Sequence, residues 1–174
     1  QQSGILKMVS HNTVWDGSER NGPFAYHNIQ GDFVAEVKLE DMLGLAQKKA
    51  YGANEAGLMV KIGQNGRKLI QNGVMPGWGV GNIVTDLSAR DRKQTNNLSG
   101  WNFYRYLQIQ RIGDTFFMRA SHDGKEWENL PGSPVKRNDL ENEVLQVGVY
   151  HATYGDISGY AAFSDFRIIQ KRGN

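Results

Sequence analysis

In the stretch Trp101–Leu130, WNFYRYLQIQRIGDTFFMRASHDGKEWENL, two turn dipeptides separate three runs of strand-forming residues. The dipeptides are Gly113-Asp114 and Asp123-Gly124. Both tolerate the positive φ of tight hairpin turns, so the stretch predicts a three-stranded meander. A two-residue turn at Gly113-Asp114 pairs Ile112 with Thr115, Ile109 with Met118 and Leu107 with Ala120. Those apolar pairs share one face; Tyr104, Tyr106, Gln108, Gln110, Phe117, Arg119 and Ser121 take the other. A two-residue turn at Asp123-Gly124 pairs Ala120 with Trp127, Ser121 with Glu126 and Arg119 with Glu128. Trp127 then joins the apolar face and both glutamates the polar one. Strand side chains alternate, so a slip of one residue in either turn would mix the faces. The prediction is a sheet with a dry back and a front of tyrosines, amides, an arginine and carboxylates.

Outward from this meander the chain keeps strand character. Asp32–Glu40, DFVAEVKLE, sets Phe33, Ala35, Val37 and Leu39 on one face against Val34, Glu36, Lys38 and Glu40 on the other, the pattern of a half-buried antiparallel strand. Gly4–Ser10 reads as an edge strand, and Phe24–Glu40 as two strands about Gln30-Gly31. Glu55–Ile62 and Arg67–Met75 form a hairpin about Gln64-Asn65-Gly66. Leu145–His151 places Leu145, Val147 and Val149 inward and Gln146 and Tyr150 outward, and Gly159–Gln170 is the last strand. His11–Pro23, Met42–Asn54 (with at most one helical turn), Asp86–Gly100, Pro131–Glu143 and Ala152–Ser158 are polar or glycine-containing and read as loops, with Trp15 either packed over the end of the core or exposed as a platform for a sugar. Pro76–Val84 holds Gly77, Gly79 and Gly81 without the strand-then-helix context of a nucleotide loop, so it reads as a bent strand. Nine to eleven strands and essentially no helix predict an all-β, antiparallel two-sheet sandwich or a barrel. A single domain over residues 1–174 accommodates them.

Composition removes several function classes. The net charge is +2 with Lys and Arg scattered, so no basic stripe points to nucleic acid. The absence of cysteine excludes disulfide scaffolds, thiolate metal sites and cysteine nucleophiles. No apolar run approaches the ~20 residues of a membrane-spanning helix. The chain begins at Gln1, consistent with a processed or excised piece and a removed signal peptide. The expected location is extracellular or periplasmic.

The order GDFVAEVKL, EAGLMVKI, YLQIQRIGDTFFMRAS, SHDGKEW, LQVGVY and AAFSDFRI resembles the concanavalin A-like lectin/glucanase sandwiches, and within them the uncharacterised DUF1349-type domains. The resemblance runs from about Gly31 to Ile169. It implies a jelly roll with one concave face and a setting in bacterial glycan metabolism. Catalytic glucanases of that superfamily carry E-x-D-x-x-E along one strand. No such triplet occurs here, and Glu36–Glu40 has Lys38 where the aspartate would stand. SHDGKEW is similar to a sialidase Asp-box but one residue short; as a plain turn it is a hairpin closed by Asp123 with Trp127 beneath.

The polar front face carries the functional expectation. Aromatic rings stack on the C–H faces of sugars, while amides, carboxylates and guanidinium groups bond the hydroxyls. Tyr104, Tyr106, Gln108, Arg119, Glu128 and Tyr150 supply that set, with His151 at a rim beside Tyr154 and Asp156. Arg119 and Glu128 also read as a plain cross-strand ion pair. Hydrolysis needs two carboxylates about 5 to 9.5 Å apart, and Glu126 and Glu128 are the pair whose spacing permits it. His11, His27, His122 and His151 show no metal-ligand spacing, and no HExxH or GxSxG occurs. No cofactor is expected beyond the structural Ca²⁺ that such sandwiches hold by resemblance, for which Asp32 and Asp165 are the conceivable ligands. The leading expectation is an accessory, non-catalytic domain binding an oligosaccharide or polysaccharide on the concave face. A glycoside hydrolase with a non-standard carboxylate pair and a structural or protein-interaction sandwich are the alternatives.

Overall fold

A computed structural model describes residues 4–15, 21–45, 48, 53–63, 68–76, 81–88, 92–97 and 104–170. The strands are β1 (Leu6–Thr13), β2 (Phe24–Ile29), β3 (Phe33–Met42), β4 (Ala53–Lys61), β5 (Leu69–Val74), β6 (Asn82–Leu87), β7 (Arg92–Asn97), β8 (Tyr106–Ile112), β9 (Thr115–Ser121), β10 (Glu128–Asn129), β11 (Val135–Lys136) and β12 (Leu145–Ile169). Helix among the described residues is confined to one 3₁₀ turn, Asn138–Leu140, and no helix there is long and apolar enough to cross a membrane. The fold is an all-β antiparallel sandwich of the jelly-roll kind.

The hydrogen-bonded order β10-β9-β8-β3-β12-β4-β5-β6-β7 makes β12 the join between the two layers. Its first half lies between β2 and β4, and its second between β1 and β3. Sequence reading broke this element at Ala152–Ser158. The chain instead continues as strand, and Gly155, at φ +98, supplies the left-handed residue of the bend. Opposite that bend the register with β1 shifts between His11 and Thr13. The core fills the space between the layers. Phe33, Ala35, Val37 and Leu39 of β3 and Leu107, Ile109, Met118 and Ala120 of β8 and β9 face Leu58, Val60, Ile70, Val84, Val147 and Val149 of the other layer. Each Val, Leu, Ile, Phe or Met among them, fully buried, stabilises the fold by about 1.5–3 kcal/mol.

The β8–β9 hairpin has the predicted register: Ile112 opposes Thr115, Ile109 opposes Met118 and Leu107 opposes Ala120. The second turn does not. Glu128 opposes Ala120 and Asn129 opposes Arg119, one residue from the expected pairing. The cause is local hydrogen bonding by the turn's own side chains. Asp123 Oδ1 accepts from the amides of Lys125 and Glu126 at 2.8 and 3.0 Å, and Ser121 Oγ accepts from the amide of Gly124 at 2.9 Å. These bonds open the turn and delay the return strand. The backbone amides and Ser121 also hold the Asp123 carboxyl down at about 2.

A second difference is Asp86–Gly100, read as a loop. It contains β7, paired with β6 from Asn82↔Asn97 to Leu87↔Arg92. RKQTNN has no apolar alternation because β7 pairs with β6 alone and stands at the end of the order. The turn expected at Gln64-Asn65-Gly66, Gly77 and Gly79, and residues 46–47 and 49–52 of the expected Met42–Asn54 loop lie outside the described residues. The Pro131–Glu143 crossover is tied down by Arg137, which is buried. Its guanidinium bonds Asp86 at 2.5 Å and Asp139 at 2.7 and 2.9 Å.

Candidate functional site

The front face of the β9-β8-β3 layer is built from cross-strand neighbours. Arg167 of β12, Glu36 of β3, Gln108 of β8, Arg119 of β9 and Asn129 of β10 stand opposite one another on five successive strands. Alternation puts all five on the side away from the core. Their side chains bond in sequence. Arg167 Nε donates to Glu36 Oε2 at 2.6 Å, and Gln108 Nε2 donates to Glu36 Oε1 at 2.7 Å. Arg119 Nη1 donates to Gln108 Oε1 at 3.3 Å and its Nε to Asn129 Oδ1 at 3.2 Å. From behind, Asn72 of β5 crosses the core and donates to the carbonyls of Gln108 and Arg119 at 2.9 and 2.7 Å. The row is therefore a hydrogen-bonded ladder fixed to both layers, the preorganisation a binding site needs.

Rows on either side complete the face. Val34, Gln110 and Phe117 lie on one side, and the Arg119 guanidinium sits over the Phe117 ring at 5.3 Å. Ser164, Lys38, Tyr106 and Ser121 lie on the other. Lys38 Nζ is 2.9 Å from Glu40 Oε1, and Ser164 Oγ donates to the same oxygen at 2.6 Å. The Ser164 hydrogen bond and then Lys38 hold the Glu40 carboxyl below its ordinary range, and the bond to Glu40 raises the Lys38 ammonium. Tyr106 lies on the Asp123-Gly124 turn: a Cβ on Gly124 would stand 2.9 Å from its ring. A cleft of about 670 Å³ opens here. Tyr106, Trp127, Lys38, Glu36, Asp165 and Arg167 are among the residues lining it.

The predicted residues distribute unevenly over this geometry. Tyr106, Gln108 and Arg119 share the face as expected. Trp127 does not lie under the apolar back; it lines the cleft. Glu128, opposite Ala120, is on the core-facing side at the exposed sheet edge, where it accepts a hydrogen bond from Tyr104 at 2.9 Å. That bond raises the Tyr104 phenol. The expected Arg119–Glu128 pair therefore does not form, and Arg119 turns to Asn129. Tyr104 itself is drawn toward β6, where Asn82 Nδ2 donates to its carbonyl at 2.9 Å and Asn82 Oδ1 accepts from its amide at 2.8 Å. Glu126 lies in the turn before β10, so Glu126 and Glu128 are not alternate positions of one strand.

Tyr150 points outward as predicted, but on the other layer. It is fully buried, and its hydroxyl donates to Glu55 Oε1. Gln71 and Thr85 are a cross-strand pair on that same surface; both are fully buried, and neither Gln71 amide atom nor Thr85 Oγ1 has a hydrogen-bond partner among the described residues. His151, expected at a rim, is buried between the layers. Its Nδ1 is 2.9 Å from Ser10 Oγ and its Nε2 3.3 Å from Asn54 Oδ1. Burial pushes its imidazolium down to about 4. Asp32 and Asp165 do not meet. Asp32 Oδ1 accepts from the Gly113 amide at 2.8 Å, whereas Asp165 sits at φ +54 on the β12 bulge. The pair does not fit a shared Ca²⁺ site, and no group of three or more His, Asp or Glu with metal-holding geometry occurs among the described residues.

Glu36, Lys38, Arg167, Asn129 and Trp127 were not in the predicted ligand set. The signal for Glu36 and Lys38 was their place on the polar side of DFVAEVKLE. Arg167 was out of reach because its neighbour Glu36 lies 131 residues away in sequence, and only the strand order brings them together.

No protein-family model matches the chain, and no curated protein matches it. Solved structures do. A functionally unknown protein from Saccharomyces cerevisiae superposes with a TM-score of 0.72 at 14% identity, over 99% of this chain and 98% of that one. A variant of the GH43 protein BlXynB from Bacillus licheniformis gives 0.77 at 14% identity, over 97% of this chain and 33% of that one. A xylan β-1,4-xylosidase from Bacillus halodurans C-125 gives 0.69 at 12% identity, over 94% and 33%. The chain thus spans about a third of the length of the latter two. At these identities the likeness is one of fold.

Proposed function

We propose that this sandwich is a non-catalytic carbohydrate-binding module that takes a saccharide on the front face. The observation that carries the reading is the ladder Arg167–Glu36–Gln108–Arg119–Asn129 flanked by Tyr106 and Trp127. Rigid polar groups stand beside aromatic surface, and Glu36 and Arg167 of the ladder line the open cleft with Tyr106 and Trp127, the composition of a small-molecule site. The proposal also draws on the sandwich's likeness to part of a xylosidase and of a GH43 protein, which fits an accessory role in glycan breakdown outside the cell.

Affinity electrophoresis and titration calorimetry against plant and bacterial polysaccharides test it. Tyr106→Ala and Trp127→Ala are each expected to weaken binding at least tenfold, about 1.4 kcal/mol. Glu128→Gln, whose side chain lies off the face, should bind as the parent does, and no sugar release is expected from either protein. Release that disappears in Glu126→Gln or Glu128→Gln would replace this reading with a hydrolase. A blank across all glycans would leave the structural role.

A further inference from the structure

We infer that the front face selects acidic saccharides, with the carboxylate of a uronic acid unit docking on Arg119. The inference rests on the saccharide-binding reading of this face and names the ligand class it takes.

It starts from the charges of the ladder and its flanking row. Arg167 is neutralised by Glu36, Nη2 to Oε2 at 2.5 Å, and Lys38 by Glu40 at 2.9 Å. Arg119 has no carboxylate within ion-pair distance among the described residues; its partners are the neutral amides of Gln108 and Asn129. The ladder thus carries one uncompensated positive charge, at a fixed point. A guanidinium has five N–H donors in a planar fork. Here the Nε–H is taken by Asn129 and one Nη1–H by Gln108. Three N–H groups remain, one on Nη1 and two on Nη2. Among the described residues these donors have no other partner, and charge-assisted hydrogen bonds from a guanidinium to a carboxylate are the strong ones.

The group is also held in place. The Phe117 ring supports its plane at 5.3 Å, and Asn72 pins the Arg119 carbonyl from behind at 2.7 Å. Arg119 is half-buried, so an ion pair formed there is less screened than one on an open surface. A neutral sugar leaves this charge unanswered. A uronate answers it without rearranging the ladder, because the orienting bonds use the other N–H groups.

Calorimetric titration with oligogalacturonate and with a neutral xylo-oligosaccharide of equal length separates the possibilities. Wild-type protein is expected to prefer the uronate at least tenfold in low salt, the margin shrinking as NaCl is raised. Arg119→Gln should abolish the preference, and Arg119→Lys, which keeps the charge but not the fork, should reduce it. Where Arg119→Gln does not fold, Asn129→Ala carries the test, since it frees the Nε end of the fork and should lower the uronate preference at least threefold. Equal affinity for acidic and neutral sugars overturns the inference and leaves the saccharide-binding reading standing. So does a preference that survives Arg119→Gln, or stronger binding of a sulfated oligosaccharide than of the uronate. Failure to bind any oligosaccharide removes both.

Discussion

His151 shows how burial turns one side chain into a determinant of pH response. It bonds Ser10 and Asn54 in its neutral form, with no carboxylate among those contacts to favour the cation. Its folded pKa, about 4, lies below the ordinary value of 6.5. The unfolded chain therefore binds the proton more readily. The stability that neutral His151 contributes is complete above about pH 6.5 and is lost progressively as pH falls toward 4, by roughly 3 kcal/mol in all. Urea midpoints at pH 7, 5.5 and 4.5 should fall steeply in the parent and less steeply in His151→Gln, whose amide does not titrate. At the front face of the β9-β8-β3 layer, Gly124 is fixed by two facts: φ is +75, and a Cβ would sit 2.9 Å from the Tyr106 ring. Gly124→Ala is expected to cost about 1–2 kcal/mol from the backbone alone. Because the methyl also displaces Tyr106, saccharide affinity should fall together with the melting temperature.

At the scale of elements, the β8–β9 hairpin is held at its tip by a neighbour rather than by its own turn alone. Asp32, just before β3, accepts the Gly113 amide. Asp32→Ala should lower stability by about 1 kcal/mol, read as a lower denaturation midpoint with the front face unchanged. This hairpin is also where the sequence was most legible. Ile112, Ile109 and Leu107 meet Thr115, Met118 and Ala120 because hydrophobic alternation and a short turn point to the same register. The next turn was misread by one residue because Ser121 and Asp123 bond the backbone and lengthen it, which a dipeptide rule does not count. That slip moved Trp127 from the core to the cleft and took Glu128 off the front face. β7 escaped notice for a different reason: RKQTNN lacks the apolar alternation that marks a strand. Two of the ladder's five residues were readable, Gln108 and Arg119, since both lie on the well-registered hairpin of the meander. Arg167 and Glu36 were not, since their meeting depends on the order of strands across the whole sheet.

Over the whole molecule, the front face and the opposite layer are one mechanical unit through Asn72. Its amide nitrogen supplies hydrogen bonds to carbonyls of two strands in the facing sheet. Asn72→Ala leaves both carbonyls without that donor inside the core, and a loss of about 3 kcal/mol is expected from the orphaned acceptors and the space left behind. Equilibrium denaturation measures the loss. A fall in glycan affinity in the same variant, at a temperature where it is fully folded, would show that the ladder's position is set from the far layer. The strand that joins the layers has a further consequence, in the order of events during synthesis. β12 follows every strand it pairs with, β1, β2, β3 and β4, and pairs residues as distant as Leu6 and Phe163. Until the ribosome has released residues 145–169, β3 and β4 each lack a partner along one edge and neither layer can close. The nascent chain therefore carries exposed strand edges for most of its translation. Such a chain folds late and slowly.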